Sequence, residues 1–288
     1  MRITVVGDLL LDVDLWGPTQ RTAPDGGMPI VDISRESVRA GGAGLVATLL
    51  RQDGHDVRLV AAIGVDEAAA RLRGLLEGVE LHLGASNAPT PVKTRLQAGE
   101  GTIARFDVGC APAPAPEVTD EMRAAVGEAD AVVVADYGRG MTADAGIRSS
   151  LAAVAAHVPV VWDPHPRGSR PIAGVVATPN RSEAAGFAAT EDMEAAAARL
   201  RAEWCAVAVA VTLGAEGVLL HADRVERRPA RVVNVVDGCG SGDRFASAVA
   251  AALAAGAGLG EAIDHAVHRT ADFLEAGGVA ALAGLGVR

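Results

Sequence analysis

Short apolar runs recur along this chain, set apart by alanine-rich stretches of helical composition. The clearest runs are residues 131–135, 158–162 and 207–212, each bounded by charged residues, Gly or Pro. Runs of that length without polar alternation are buried on both faces, as parallel strands under helices are. Residues 149–157 and 193–203 read as helices between them, and upstream a helix (43–52), a strand (56–63) and a helix (67–77) follow one another. That βαβα order predicts an α/β fold with a mostly parallel central sheet and helices on both faces, a three-layer α/β/α domain. In such sheets ligands sit at the carboxyl ends of the strands. Chemistry-bearing residues fall there: Asp136 after one strand, Asp163 after the next, Asn180 and Glu183 after a third, Gly214 after a fourth.

Two regions break the rhythm. Residues 13–40 are rich in Pro and Gly and end in an alternating run at 30–39, and residues 88–108 hold strand-like runs at 92–97 and 102–108. Together they are expected to form a small β-sheet lid over the strand ends, within one domain spanning residues 1–288. A small sheet with one apolar face needs covering by substrate or a partner. The Pro-Ala repeat at 110–116 reads as a stiff linker back to the main domain.

Composition narrows the partners. A net charge of −10 argues against nucleic acid or an anionic membrane. Any phosphate site must then be built locally from amides, cations and metal. Cys110, Cys205 and Cys239 are too far apart for a disulfide framework or a spaced zinc site, and the histidines show no metal-ligand spacing beyond His265 and His268, which read as a helix face. Residues 1–7 read as a strand rather than a signal peptide, and no run reaches the length of a membrane span, so the protein is expected to be cytoplasmic.

Residues 237–243, Asp-Gly-Cys-Gly-Ser-Gly-Asp, follow a β-type run at 231–236 and open a helix that ends at Gly256. Glycines let the turn approach a ligand closely, and the unpaired amides of the helix start favour an anion. A carboxylate beside a phosphate is repulsive, so binding alone gives no reason for Asp243. A general base for phosphoryl transfer does give one. The alternative is that Asp243 merely caps the helix.

Other candidates follow from polarity and position. Asp12, then Asp8, lie past the first strand, where they can accept from a ligand's hydroxyls, and Gly41 and Gly42 permit close backbone approach. Lys93, Arg95 and Arg105 lie on the lid strands, with Lys93 and Arg95 on one face. They can hold a substrate phosphate, or simply blunt an exposed edge. Arg139 can pair with phosphate or with Asp136.

The loop resembles the second signature of the ribokinase family (PfkB-type sugar kinases), Asp-Thr-x-Gly-Ala-Gly-Asp, with Gly238 for Thr and Ser241 for Ala. Gly41–Gly44, the Asn-x-x-Glu at Asn180 and Glu183, and the Thr-x-Gly-x-x-Gly at Thr212, Gly214 and Gly217 resemble its other motifs, in order. Within the family the closest resemblance is to heptose 7-phosphate kinases, through Gly7-Asp8 to Asp12, Ala135-Asp136-Tyr137-Gly138-Arg139-Gly140 and Asp163-Pro164-His165. The resemblance implies a ribokinase-like fold and ATP with Mg²⁺. It makes Asp243 the base and the amides of Gly240, Ser241, Gly242 and Asp243 the anion hole. It puts the acceptor on Asp8, Asp12, Gly41, Gly42, Lys93, Arg105, Asp136 and Arg139. The nucleotide falls on Asn180, Glu183, Thr212, Gly214, Gly217, Gly240 and Gly242, with Glu183 reaching the metal through water. It further implies a homodimer through the lid.

Departures stand at Leu45, where the family often has Asn, and at His165 and His268, the last near the adenine. The expected reaction is transfer of the γ-phosphoryl group to D-glycero-D-manno-heptose 7-phosphate, giving the 1,7-bisphosphate. The alternatives are another PfkB-type kinase (for ribose, fructose 1-phosphate, 2-keto-3-deoxygluconate or a nucleoside) or a non-catalytic sugar- or nucleotide-binding paralogue. A dehydrogenase is excluded, because no Gly-x-Gly-x-x-Gly follows the first strand. The nucleotidyltransferase fused to some heptose kinases is expected to be absent, the chain ending near Leu285.

Overall fold

The computed structural model describes residues 1–24, 26–99, 101–111, 114–235 and 237–282. The chain starts with β1 (Arg2–Gly7), turns at Asp8, and continues as β2 (Leu9–Trp16) in a different sheet. The opening segment is therefore two strands, and the lid begins at Leu9 rather than at residue 13. After the short pair β3 (Arg21–Thr22) and β4 (Pro29–Ile30), β5 (Arg35–Gly42) leads into α1 (Ala43–Gln52). Then come β6 (Asp56–Ile63), α2 (Glu67–Leu75) and β7 (Glu80–Ala85), followed by the second lid excursion, β8 (Val92–Ala98) and β9 (Gly101–Val108).

The regular part resumes with α3 (Asp120–Gly127), β10 (Ala131–Ala135), α4 (Ala145–Val154), β11 (Val160–Asp163) and β12 (Val176–Ala177). The rest is α5 (Arg181–Ala188), α6 (Met193–Trp204), β13 (Ala208–Thr212), β14 (Val218–His221), β15 (Val225–Arg228), α7 (Ser241–Ala254), α8 (Leu259–Glu275) and α9 (Val279–Leu282). Among the described residues none of these helices is long and apolar enough to cross a membrane.

The main sheet runs β15-β14-β13-β12-β11-β10-β1-β6-β7. It is parallel from β13 to β7, and β14 and β15 add an antiparallel edge. Alternate side chains of β1 serve two cores. Ile3 and Val5 pack with α1, α7 and α8 on one face, and Val6 packs with α3, α4 and α6 on the other. The predicted three-layer arrangement follows directly. The hairpin of β14 and β15 was missed: β14 is a short buried apolar run, but its partner β15 is charged and half-exposed and lacks the pattern of a covered strand. Conversely, residues 231–235 form no strand, despite their β-type composition, and Val236 lies outside the described residues.

The lid sheet has the order β5-β2-β8-β9. Leu11 and Val13 turn one face of β2 into the main core, against helix α1 and its neighbours. Asp12 and Asp14 alternate with them onto the other face, beside Arg39 in β5 and Lys93 and Arg95 in β8. Of the linker at 110–116, Pro112 and Ala113 lie outside the described residues.

Candidate active site

Helix α7 is capped by Gly240 at φ 78°, with no side-chain cap. An added Cβ there would meet Val279 and Leu45 within 2.9 Å, so both backbone and packing demand glycine. Ser241, Gly242 and Asp243 form the first turn, where amides have no intrahelical acceptor. The Ser241 amide already donates to the Gly238 carbonyl at 3.3 Å, so the amides of Gly242 and Asp243 are the freer pair. Asp243 is not the cap. Its carboxylate, 5% exposed, turns into the domain.

There it accepts from the phenol of Tyr137, which lies 2.9 Å from Oδ1 and 3.0 Å from Oδ2. Burial pushes the Asp243 carboxyl up to about 7, and the charge of Asp12 adds to this, while the Tyr137 donor and Lys93 oppose it. Tyr137 is the chain's one tyrosine. Its ring stacks on His165 at 6.3 Å, and Lys93 Nζ lies 5.2 Å from the ring centroid. Sequence reasoning quoted Tyr137 within a loop motif but gave it no role. A lone tyrosine in a glycine-flanked loop after a buried strand was the available signal.

The same loop explains Asp8 and Asp136. Asp8 accepts the backbone N–H of Tyr137 at 3.0 Å, of Arg139 at 2.8 Å and of Met141 at 3.3 Å. Asp136 accepts from the Gly138 and Ser169 amides and the Thr142 hydroxyl, and burial with the charge of Asp8 raises it to about 6. Both carboxylates, expected on the acceptor, hold the backbone that presents Tyr137. Arg139 pairs with neither carboxylate through its side chain. Its guanidinium donates to the carbonyls of Pro89, at 3.0 Å, and Ala111.

Asp12 is 5% exposed and receives Arg95 Nη1 at 3.1 Å. Asp14 pairs with Arg39 and lies 3.7 Å from Arg95. Arg95 also donates to Cys239 Sγ at 3.3 Å, joining lid to glycine loop. Gly41 and Gly42 lie against protein atoms that leave no room for a side chain. A Cβ on Gly41 would meet Asp12 Oδ2 at 2.3 Å, and one on Gly42 the Asp8 carbonyl at 2.5 Å and the Tyr137 ring at 3.3 Å. Arg105 stays on the exposed edge, paired with Asp107 at 2.6 Å. Leu45 packs beneath the glycine loop with Val279, which accounts for an apolar residue there.

Two cavities meet at the loop. One, of about 170 Å³, is lined by Asp136, Tyr137, Asp163, Asn180, Glu183 and Asp243. Asn180 and Glu183 form a capping box, Oδ1 accepting from Glu183 N at 3.0 Å and Oε2 from Asn180 N at 2.8 Å. Burial raises the Glu183 carboxyl and, helped by the charges of Asp243 and Glu183, raises Asp163. The other cavity, of about 340 Å³, is walled by Gly214, Gly217, Val267, Thr270, Ala271 and Leu274. Thr212, Ser241 and Gly242 line both. His268, expected near the adenine, is exposed and does not line the larger cavity, its Nδ1 2.7 Å from the Asp264 carbonyl.

A charged pocket holding a buried carboxylate, joined to an apolar pocket by a glycine loop at a helix start, suits transfer of an anionic group. Residues 1–278 match the pattern of the pfkB family carbohydrate kinases, and the chain belongs to that family. Among its relatives, the bifunctional protein HldE of Streptomyces coelicolor is 44% identical across 97% of this chain and 61% of its own length. The D-beta-D-heptose 7-phosphate kinase of Bordetella bronchiseptica is 32% identical across 91% of this chain and 87% of its own. The chain spans about 60% of the length of the bifunctional relatives it matches. In fold it is similar to the Arabidopsis thaliana ribokinase complexed with ribose and ATP, with TM-score 0.75, 19% identity, and 97% and 94% of the two chains covered.

Proposed function

We propose that this protein is an ATP-dependent kinase of a phosphorylated heptose, forming the 1,7-bisphosphate from D-glycero-D-manno-heptose 7-phosphate. The observation that carries the kinase reading is the glycine loop of Ser241 and Gly242 as the common wall of an apolar cavity and one holding Asp243. The heptose rests on the likeness to the heptose kinase and to HldE. The nucleoside lies in the apolar cavity and its phosphates run over the loop. Asp243 takes the proton as the acceptor oxygen bonds to the γ-phosphorus and the bond to the ADP oxygen breaks. The amides of Gly242 and Asp243 face the charge that develops. Asp12 and Lys93 are the acceptor-side groups that this reading keeps.

Among the described residues, no group of three or more His, Cys, Asp or Glu side chains is set to hold a metal directly. Glu183 faces the cavity with hard oxygens. Magnesium keeps several waters and asks for one or two carboxylates, so these residues fit an ion that Glu183 would hold through water. When bound it neutralises charge on the transferring group.

The test is ADP release with Mg-ATP across D-glycero-D-manno-heptose 7-phosphate, sedoheptulose 7-phosphate, fructose 1-phosphate, ribose and adenosine. Turnover confined to the aldoheptose phosphate, and reduced about 10²–10⁴-fold in Asp243→Asn with ATP still bound, is expected. Turnover on another sugar alone removes the heptose. Full activity of Asp243→Asn removes the base. Phe106 and Val108, 46% and 62% exposed on the edge strand β9, support a homodimer through the lid. Sedimentation of Phe106→Glu as a monomer and of the parent as a dimer is the expected result.

A further inference from the structure

The base does not stand free in its pocket. The Tyr137 oxygen lies within 3.0 Å of both Asp243 oxygens, yet a phenol has one proton to give. One oxygen therefore takes the phenol proton at any moment, and the other keeps its acceptor capacity. Nothing about this contact is incidental to the fold. The Tyr137 amide is anchored on Asp8, its ring rests on His165, and Gly42 leaves the space the ring needs. Four segments far apart in sequence thus converge to aim one hydroxyl.

We infer that Tyr137 is the positioning residue of the base: its O–H donates to Asp243 and holds one carboxylate oxygen toward the acceptor hydroxyl. This rests on Asp243 being the base, as proposed above. The donor also favours the ionised carboxylate, which burial opposes. Other charged groups face this pair and have to be separated from it. Asp12 comes from β2, Lys93 from β8, and Asp163 and His165 from the end of β11 and the loop after it. Asp8 and Asp136 flank the tyrosine loop from behind. Burial and the nearby Arg167 and Lys93 lower His165 from its ordinary range.

Two measurements test the inference. The first is the pH profile of kcat/KM for the sugar phosphate in Tyr137→Phe, which keeps the ring and its stacking. Turnover of the parent should rise as pH passes through about 7, where Asp243 ionises. In the variant that limb should move up by about one pH unit, the worth of one hydrogen bond to a charged group. The loss is then about tenfold near pH 6 and small near pH 9, with KM for ATP unchanged. The second uses the fact that Tyr137 is the one tyrosine, so growth on 3-fluorotyrosine labels this site alone. Its fluorine resonance in the full-length protein should titrate with the same midpoint, and the titration should vanish in Asp243→Asn.

An unshifted limb in Tyr137→Phe overturns the inference, as does a fluorine titration that survives Asp243→Asn. A Tyr137→Phe variant faster than the parent at every pH also overturns it, since the phenol would then be an obstruction in the acceptor site. Failure of the base reading is distinct: Asp243→Asn would retain turnover whatever Tyr137 does.

Discussion

The two sides of the glycine loop are built from different materials. On the proposed function, the nucleotide side is backbone and small apolar groups: Gly214, Gly217, Val267, Ala271 and Leu274. The acceptor side is paired charge taken out of water. Asp12, Asp14 and Arg39 are each 7% exposed or less, and Asp243 with Tyr137 closes the set. Apolar walls tolerate change in proportion to volume, whereas a buried charge deprived of its partner is strongly destabilising. The contrast predicts that acceptor-side substitutions alter stability and pH dependence together, and nucleotide-side substitutions alter one Michaelis constant.

The largest effect should come from Asp243→Asn, and for stability its direction is favourable. The folded pKa of Asp243, about 7, lies above the ordinary 3.8. Its contribution to stability is therefore complete below the unfolded value and is lost as pH rises through about 7. Asparagine can still accept from Tyr137 but never ionises. Urea unfolding at pH 8 should find the variant more stable by as much as about 4 kcal/mol, with the difference gone near pH 4. A variant less stable at pH 8 would mean that the carboxylate is well solvated, and the contrast between the two sides would narrow.

Next is Asp14→Ala. It leaves Arg39 to share Asp12, 4.0 Å away, with Arg95. Loss of about 3 kcal/mol in urea unfolding is expected, with a raised KM for the sugar phosphate and an unchanged KM for ATP. A loss under about 1 kcal/mol would class the network with exposed ion pairs.

The fold was legible because covered parallel strands leave a pattern that survives in one sequence. Runs such as Ala131–Ala135 hold only apolar residues, and the polar residue after the carboxyl end, here Asp136, marks the ligand edge. The hairpin β14–β15 was not legible, because an edge strand with half-exposed Glu226 and Arg228 looks like any surface loop. At the site, Asp243 was marked by its glycines and by the repulsion that a bare carboxylate would feel beside phosphate. The functions of Asp8, Asp136, Gly41 and Gly42 were not. Asp8 binds amides far off in sequence, that of Tyr137 being 129 residues away, whereas Asp136 turns back on Gly138 and Thr142 of its own loop. Sequence position could say that these residues cluster at the strand ends, but not which of them face ligand and which face each other.

On the nucleotide side, Ala271→Leu grows a side chain into the apolar cavity from α8. KM for ATP should rise about tenfold, equivalent to ~1.4 kcal/mol, with KM for the sugar phosphate unchanged and stability altered by less than about 1.5 kcal/mol. An equal rise in both constants would show that the two cavities act as one, which the shared wall of Ser241 and Gly242 makes the informative alternative.

The smallest effect belongs to the residue that joins the glycine loop to the lid. Cys239 lies in the glycine loop, and its Sγ receives Arg95 from the lid at 3.3 Å. Burial raises the thiol above its ordinary range, with Arg95 pulling the other way, so at neutral pH it is a protonated, weakly accepting group. Arg95 keeps its stronger partner, Asp12, whatever stands at 239. Cys239→Ser should therefore change stability by less than about 0.5 kcal/mol and turnover by less than about twofold. At pH 7 iodoacetamide should label the exposed Cys205 well before Cys239. Modification of Cys239 itself should stop turnover by filling the space between loop and lid. A tenfold loss in Cys239→Ser would reverse this ranking, because a weak sulfur contact would then be what couples the lid to the loop that holds phosphate.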